Sequence, residues 1–141
     1  MKKIFISSDH AGFNLKESIK HYLIRKKIEF EDLGPRNDSR VDYPDYAHKV
    51  ARRVKINKSY VGILVCGSGT GMNIAANKHK NIRAAQCFNL KSTKLSRLHN
   101  DANIITLGSR LISKKNALKF INVFLNTKFN GGRHLKRVKK I

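Results

Sequence analysis

Cys66-Gly67-Ser68-Gly69-Thr70-Gly71 sets a thiol, two hydroxyls and three glycines at alternate positions along one short stretch. Ahead of it, Val61 to Val65 is an apolar run that reads as a buried parallel strand. Behind it, Met72, Ile74, Ala75 and Ala76 suit a helix packed on a sheet. A strand, a Gly-rich turn and a helix start together make a concave set of backbone N–H groups that holds a negative oxygen. A thiol at the lip of such a nest is a candidate base or nucleophile, because the field that holds an anion also favours the thiolate. Cys66 also reads as an ordinary small buried residue at a strand end. The glycine spacing is G-x-G-x-G. It is neither a P-loop, since no Gly-Lys-Ser/Thr follows, nor the dinucleotide pattern G-x-G-x-x-G.

Other polar residues stand where turns and helix ends are expected. Asp9 and His10 follow the first apolar run, where open α/β sheets bind ligands; Asp9 suits a helix cap equally well. Tyr43 precedes Pro44, which favours an extended backbone there and lets the ring reach a neighbouring site or pack on the core. Arg133 and Arg137 are four apart, so a helix would bring both guanidiniums to one face, fit for a phosphate or for solvent.

The elements that must position these residues alternate between strand and helix patterns. Strands are expected at 3–8, 28–33, 60–66, 82–87 and 103–107. Helices are expected from Phe13 to about 27, at 45–55, from the Gly turn to 79, at 90–98 and at 115–125, with a basic tail helix after Gly131-Gly132. Leu90, Leu95 and Leu98 are expected to face the sheet, with His99-Asn100-Asp101 closing their helix. Ile28 to Leu33 alternates apolar and acidic residues, as an edge strand does. The fold class is therefore α/β: one doubly wound, Rossmann-like, five-stranded parallel sheet with helices on both faces, spanning 1–141 as a single domain.

Composition narrows the function classes. The chain has 141 residues, 40% hydrophobic and 28% charged, enough for one full core. Its apolar runs are too short for a membrane span or a signal peptide, so a cytoplasmic protein is expected. Two cysteines, 66 and 87, fit a reducing compartment. The net charge of +21 raises the question of a nucleic-acid or polyanion binder. Yet the 20 Lys and 10 Arg are spread along the chain, and 13 Asn and 14 Ile accompany them, as compositional drift toward AT-rich codons would give. A nucleotide-binding regulatory domain is disfavoured because the Gly turn follows the third strand, not the first. No His/Cys/Asp/Glu cluster has metal-ligand spacing.

The ordered set of motifs resembles the ribose-5-phosphate isomerase B family, which includes the galactose-6-phosphate and allose-6-phosphate isomerases. The matching residues are Ser8-Asp9-His10-Ala11-Gly12, Asp42-Tyr43-Pro44, Cys66 to Gly71, Ala75-Ala76-Asn77-Lys78, Ile82-Arg83-Ala84, Leu95-Ser96-Arg97, His99 to Asn103, Gly108-Ser109-Arg110 and Gly131 to His134. The resemblance implies an aldose–ketose isomerase acting through an enediolate, in the non-oxidative pentose phosphate pathway. It implies Cys66 as the base, the backbone of Gly67, Ser68, Gly69, Thr70 and Gly71 as the enediolate site, and Ser68 as a proton-transfer aid where many members have Thr. It implies His99 for ring opening, Asp9, His10, Tyr43, Asn100 and Arg110 around the sugar, and Arg133, His134, Arg137 and His10 at the phosphate. It further implies no cofactor or metal, no specific nucleic-acid or membrane partner, and a homodimer or tetramer whose site combines residues of two subunits. Cys66 favours the pentose substrate, with allose 6-phosphate second and galactose 6-phosphate third. With Arg137 so near the last residue, any helical extension used for subunit contact is expected to be short.

Overall fold

Five parallel strands form the sheet: β1 (Lys3–Ser8), β2 (Phe30–Asp32), β3 (Tyr60–Cys66), β4 (Ala84–Gln86) and β5 (Ile104–Gly108). This is a computed structural model, and it describes residues 2–141. The helices are α1 (Phe13–Arg25), α2 (Tyr43–Val54), α3 (Thr70–Ala76), α4 (Leu90–Asn100), α5 (Lys114–Asn126) and α6 (Arg133–Val138). The strand order is β2-β1-β3-β5-β4. The chain winds outward from β1 to β2, then crosses back to β3 on the other side. That reversal opens a crevice at the carboxyl ends of β1 and β3, where sheets of this kind take ligands.

Period-two alternation sends each strand's side chains to two cores. Ile4, Ile6, Ile63, Val65, Ile105 and Leu107 pack with Leu15, Ile19 and Leu23 of α1 and Phe120, Ile121 and Phe124 of α5. Phe5, Leu64, Cys66 and Ile104 pack on the other face with Val50, Ala51 and Val54 of α2 and Met72 and Ala76 of α3. Cys66 thus shares the inward face of Leu64. Cys87, just beyond β4, is buried in the first core, and that burial pushes its thiol titration up. Among the described residues, no helix is long and apolar enough to cross a membrane.

Several expected boundaries move. β2 keeps only three residues, all half-buried, because an edge strand has a partner on one side alone. β4 is likewise cut to three residues, and α3 stops at Ala76. There Asn77 supplies what a sixth strand would: its side chain donates to Ala84 O at 2.9 Å and accepts from Ala84 N–H at 2.8 Å. α2 begins at Tyr43, not residue 45, since Pro44 in the first turn gives up an N–H the helix does not use; the extended residue is Asp42. α4 differs most. Its buried positions are Thr93 and Ser96, whose hydroxyls bond back to the carbonyls of Asn89 and Thr93. Leu95 and Leu98 are only half-buried, and Leu90 is 46% exposed. Ile74 of α3 is 58% exposed, so it also misses the sheet.

Lys16, fully buried on α1, anchors the edge of the sheet. Its ammonium donates to both Asp32 carboxylate oxygens at 2.9 Å and to Pro35 O at 2.8 Å. Burial alone would raise the Asp32 titration, but hydrogen bonds from Lys20, Lys16 and the Gly34 N–H outweigh it and hold the carboxyl below the usual range. A depressed folded value gives stability that is present above the unfolded carboxyl pKa of about 3.9 and is lost as pH falls through the folded value. Lys16→Met is expected to cost about 2 to 4 kcal/mol in urea unfolding at neutral pH. It should also shrink the acid-side loss of stability; an unchanged acid limb would show that Lys16 does not hold Asp32 ionised.

Candidate functional site

The crevice at the carboxyl ends of β1 and β3 is a cleft of about 260 Å³ lined by Asp9, Tyr43, Cys66, Gly67, Ser68, Gly71, Arg110 and Leu111. A larger hollow lies at the amino ends of the strands, lined by Lys3, Phe30, Glu31 and Tyr60 among others, and holds none of the candidate residues.

The cleft is built from strand ends. Cys66 closes β3 opposite Gly108 of β5. The pairing continues past both strands: Ser109 N–H donates to Cys66 O at 2.8 Å and Arg110 N–H to Gly67 O at 3.0 Å. Gly69 turns the chain with φ +79°, and a side chain there would also run into the Leu107 carbonyl carbon, 2.9 Å from its Cβ. The turn then brings Gly69 N–H to 3.1 Å from Cys66 Sγ. Thr70 N–H donates to Ser68 Oγ at 3.2 Å. Among the described residues, the N–H groups of Ser68 and Gly71 donate to no protein atom. Both residues line the cleft together with Cys66, an arrangement suited to an oxyanion forming on a bound molecule.

The walls come from the other turns. Asp9 is 7% exposed and accepts the Gly12 N–H at 2.9 Å through Oδ1, so the cap and the cleft both use it. The Tyr43 ring lies against Gly71: a Cβ there would stand 2.7 Å from it. The Arg110 guanidinium lies over Gly67, with Nη1 3.0 Å from where a Cβ would be. His10 follows Asp9 but does not line the cleft; its Nδ1 accepts the Val41 N–H at 3.3 Å.

A second cluster forms elsewhere. α4 leaves the carboxyl end of β4 and must return the chain to the amino end of β5, so its last residues, His99 and Asn100, lie at the opposite end of the sheet from Cys66. Arg83, just before β4, fixes that end: its Nε donates to Asn100 O at 3.0 Å and its Nη2 meets Asp101 at 3.1 Å. The strands between are about 16 Å long. There the His99 and His134 rings stack with centroids 4.2 Å apart and planes 11° apart. Arg133 and Arg137 are exposed on α6 on either side of His134.

Asp9, Tyr43, Cys66, Gly67, Ser68, Gly71 and Arg110 therefore meet in one cleft, with Gly69 and Thr70 behind them in the same turn. His99 and His134 stack at the other end of the sheet, with Asn100 next to His99 on α4 and Arg133 and Arg137 on α6. Two residues of the first site were missed. Leu111 lines it while 65% exposed. Gln86 bonds the back of the Gly turn, and the only available signal was a polar residue ending an apolar strand. Among the described residues, no group of three or more His, Cys, Asp or Glu could hold a metal ion.

Burial, then the charges of His99, Arg133 and Arg137, hold His134 below the ordinary imidazole range. Its neutral form gives stability that is present above about pH 6.5 and is lost as pH falls through the folded value. An NMR titration of the ring nitrogens should find His134 titrating below that reference; a value above it would mean that an anion or a carboxylate sits against the ring.

The family model described as Ribose/Galactose Isomerase matches residues 4–141. The chain is 43% identical over 141 residues to ribose-5-phosphate isomerase B of Escherichia coli, covering 100% of this chain and 95% of that protein. A solved ribose 5-phosphate isomerase of Thermotoga maritima is 50% identical with a TM-score of 0.95, covering 99% of this chain and 96% of that one. A solved ribose-5-phosphate isomerase B of Mycoplasma genitalium, with bound ribulose-5-phosphate, is 43% identical with a TM-score of 0.94, covering 98% and 92%.

Proposed function

The chain belongs to the ribose/galactose isomerase family, and on that premise we propose that it interconverts ribose 5-phosphate and ribulose 5-phosphate with Cys66 as the base. The observation that carries the reading is the Cys66 sulfur beside two unengaged N–H donors in a cleft. On the open-chain aldose, the Cys66 thiolate takes the proton from C2. The charge moves onto the carbonyl oxygen O1, where the Ser68 and Gly71 N–H groups receive it. The Ser68 hydroxyl carries a proton from O2 to O1, and the Cys66 thiol returns its proton to C1. One proton leaves C2 and one arrives at C1, so the step is redox-neutral and the thiolate is regenerated. Asp9, His10, Tyr43 and Arg110 orient the sugar.

Ring opening and phosphate binding need the second cluster. The His99 imidazole gives and takes the protons of ring opening, Asn100 contacts the sugar, and Arg133, His134 and Arg137 bind the phosphate as a fork of donors. Within one chain this cluster is a strand's length from Cys66. A two-fold pair of chains brings each half-site to its complement and completes two sites at once. The large side chains left in solvent support such a contact: Ile74, Phe88, Leu90 and Leu111 are 46 to 65% exposed on α3 and after β4 and β5. We therefore take the working form to be at least a homodimer, residues 1–141 to be one isomerase domain, and the setting to be cytoplasmic pentose phosphate metabolism, which suits two unpaired cysteines.

A coupled assay of ribulose 5-phosphate formation tests the reading. Wild type should turn over without added metal, and Cys66→Ala, still folded by circular dichroism, should lose at least about a thousandfold in kcat. Equal turnover in the two proteins would remove Cys66 from the base's role.

A further inference from the structure

Gln86 ends β4, and nothing in the proposed reaction uses it. Its side chain reaches from this edge strand to the Gly turn. Nε2 donates to Ser68 O at 2.8 Å, and the amide nitrogen and oxygen stand 3.1 and 3.2 Å from Thr70 Oγ1. A carbonyl only accepts, so the Ser68 contact fixes the amide with its nitrogen toward the turn, and Thr70 donates its hydroxyl proton to Oε1. Ser68 precedes the N-cap Gly69, so its oxygen lies outside the helix ladder. Among the described residues, Gln86 is the group that donates to it.

The Ser68 carbonyl and the Gly69 N–H belong to one planar trans peptide unit and point in opposite directions. At its other side that unit aims the Gly69 N–H at Cys66 Sγ, 3.1 Å away. Holding the oxygen therefore holds the N–H. We propose that Gln86 is a positioning residue for Cys66: it clamps the Ser68–Gly69 peptide so that the Gly69 N–H stays directed at the sulfur and favours its anionic form. The clamp deepens the reading of Cys66 as the base and rests on it for its effect on turnover. Thr70, expected to contact substrate through its backbone, spends its hydroxyl on the clamp.

Gln86→Leu removes the clamp. Gln86→Glu keeps its length and its acceptor for Thr70, but sets a carboxylate against the Ser68 carbonyl oxygen, with nothing to donate. Both variants are to be measured for kcat and KM on ribose 5-phosphate and for the rate of Cys66 alkylation by iodoacetamide near neutral pH. The expected result is a fall in kcat of about tenfold to about a hundredfold, KM within about twofold, and several-fold slower alkylation in both. A role in stability alone gives the opposite signature: Cys66 is 4% exposed, so a loosened turn would admit the reagent and speed alkylation. Alkylation at or above the wild-type rate, or a Glu variant that behaves as wild type, overturns the proposal. Slower alkylation in proteins that never turn over ribose 5-phosphate, wild type included, leaves the clamp standing and overturns the isomerase reading.

Discussion

The pairing of β3 with β5 beyond the ends of both strands is the constraint on which the site depends. Two carbonyls, Cys66 and Gly67, are held by the N–H groups of Ser109 and Arg110. These bonds decide where the chain leaves the sheet. The glycine at 69 then turns it tightly enough that a peptide N–H meets the sulfur, and α3 starts at the next residue. Net hydrogen bonds are individually small, roughly 0.5 to 1.5 kcal/mol each. Their value here is directional, since a turn fixed at both ends holds the free N–H groups of Ser68 and Gly71 in place along the cleft, as the proposed reaction requires.

A second constraint is imposed by the parallel sheet itself. Each crossover helix runs back against the strands, so residues at a helix's carboxyl end sit at the sheet's far end. His99 and Asn100 close α4 and are carried away from Cys66 by that rule, and α6 packs beside them through the His99–His134 stack. The proposed base and the proposed phosphate donors are thus separated within one chain by the topology that makes each of them rigid. The proposed second copy would relieve the separation and cover apolar side chains that α3, α4 and the loops leave in solvent. On α6, burial and then the charges of His99, Arg133 and Arg137 lower the His134 titration.

Much of this was legible in the residues. The β-branched run of β3, the alternate glycines and the position of Asp9 after β1 carry strong local signals, and each appears where expected. Asp9 and Cys66 followed from them because strand ends in this fold converge, whereas Tyr43, Ser68 and Arg110 rested on the family resemblance. What was not legible depended on neighbours distant in sequence. Leu90, Leu95 and Leu98 have helical spacing, but periodicity cannot say whether an apolar face meets the chain's own sheet or another surface. Thr93 and Ser96 are buried instead because their hydroxyls are satisfied within the helix. Gln86 was not legible because its partners, Ser68 and Thr70, are 18 and 16 residues away, joined to it only by the fold.

The central claim is that one working site draws Cys66 from one chain and His99 from another. Complementation tests it most directly. Cys66→Ala and His99→Ala are each prepared as inactive proteins, mixed in equal amounts, and allowed to exchange subunits. Random pairing makes half the dimers hybrids, each with one intact site, so activity should return to about a quarter of wild type. Hybrids confirmed by native mass spectrometry that stay inactive would contradict the shared site.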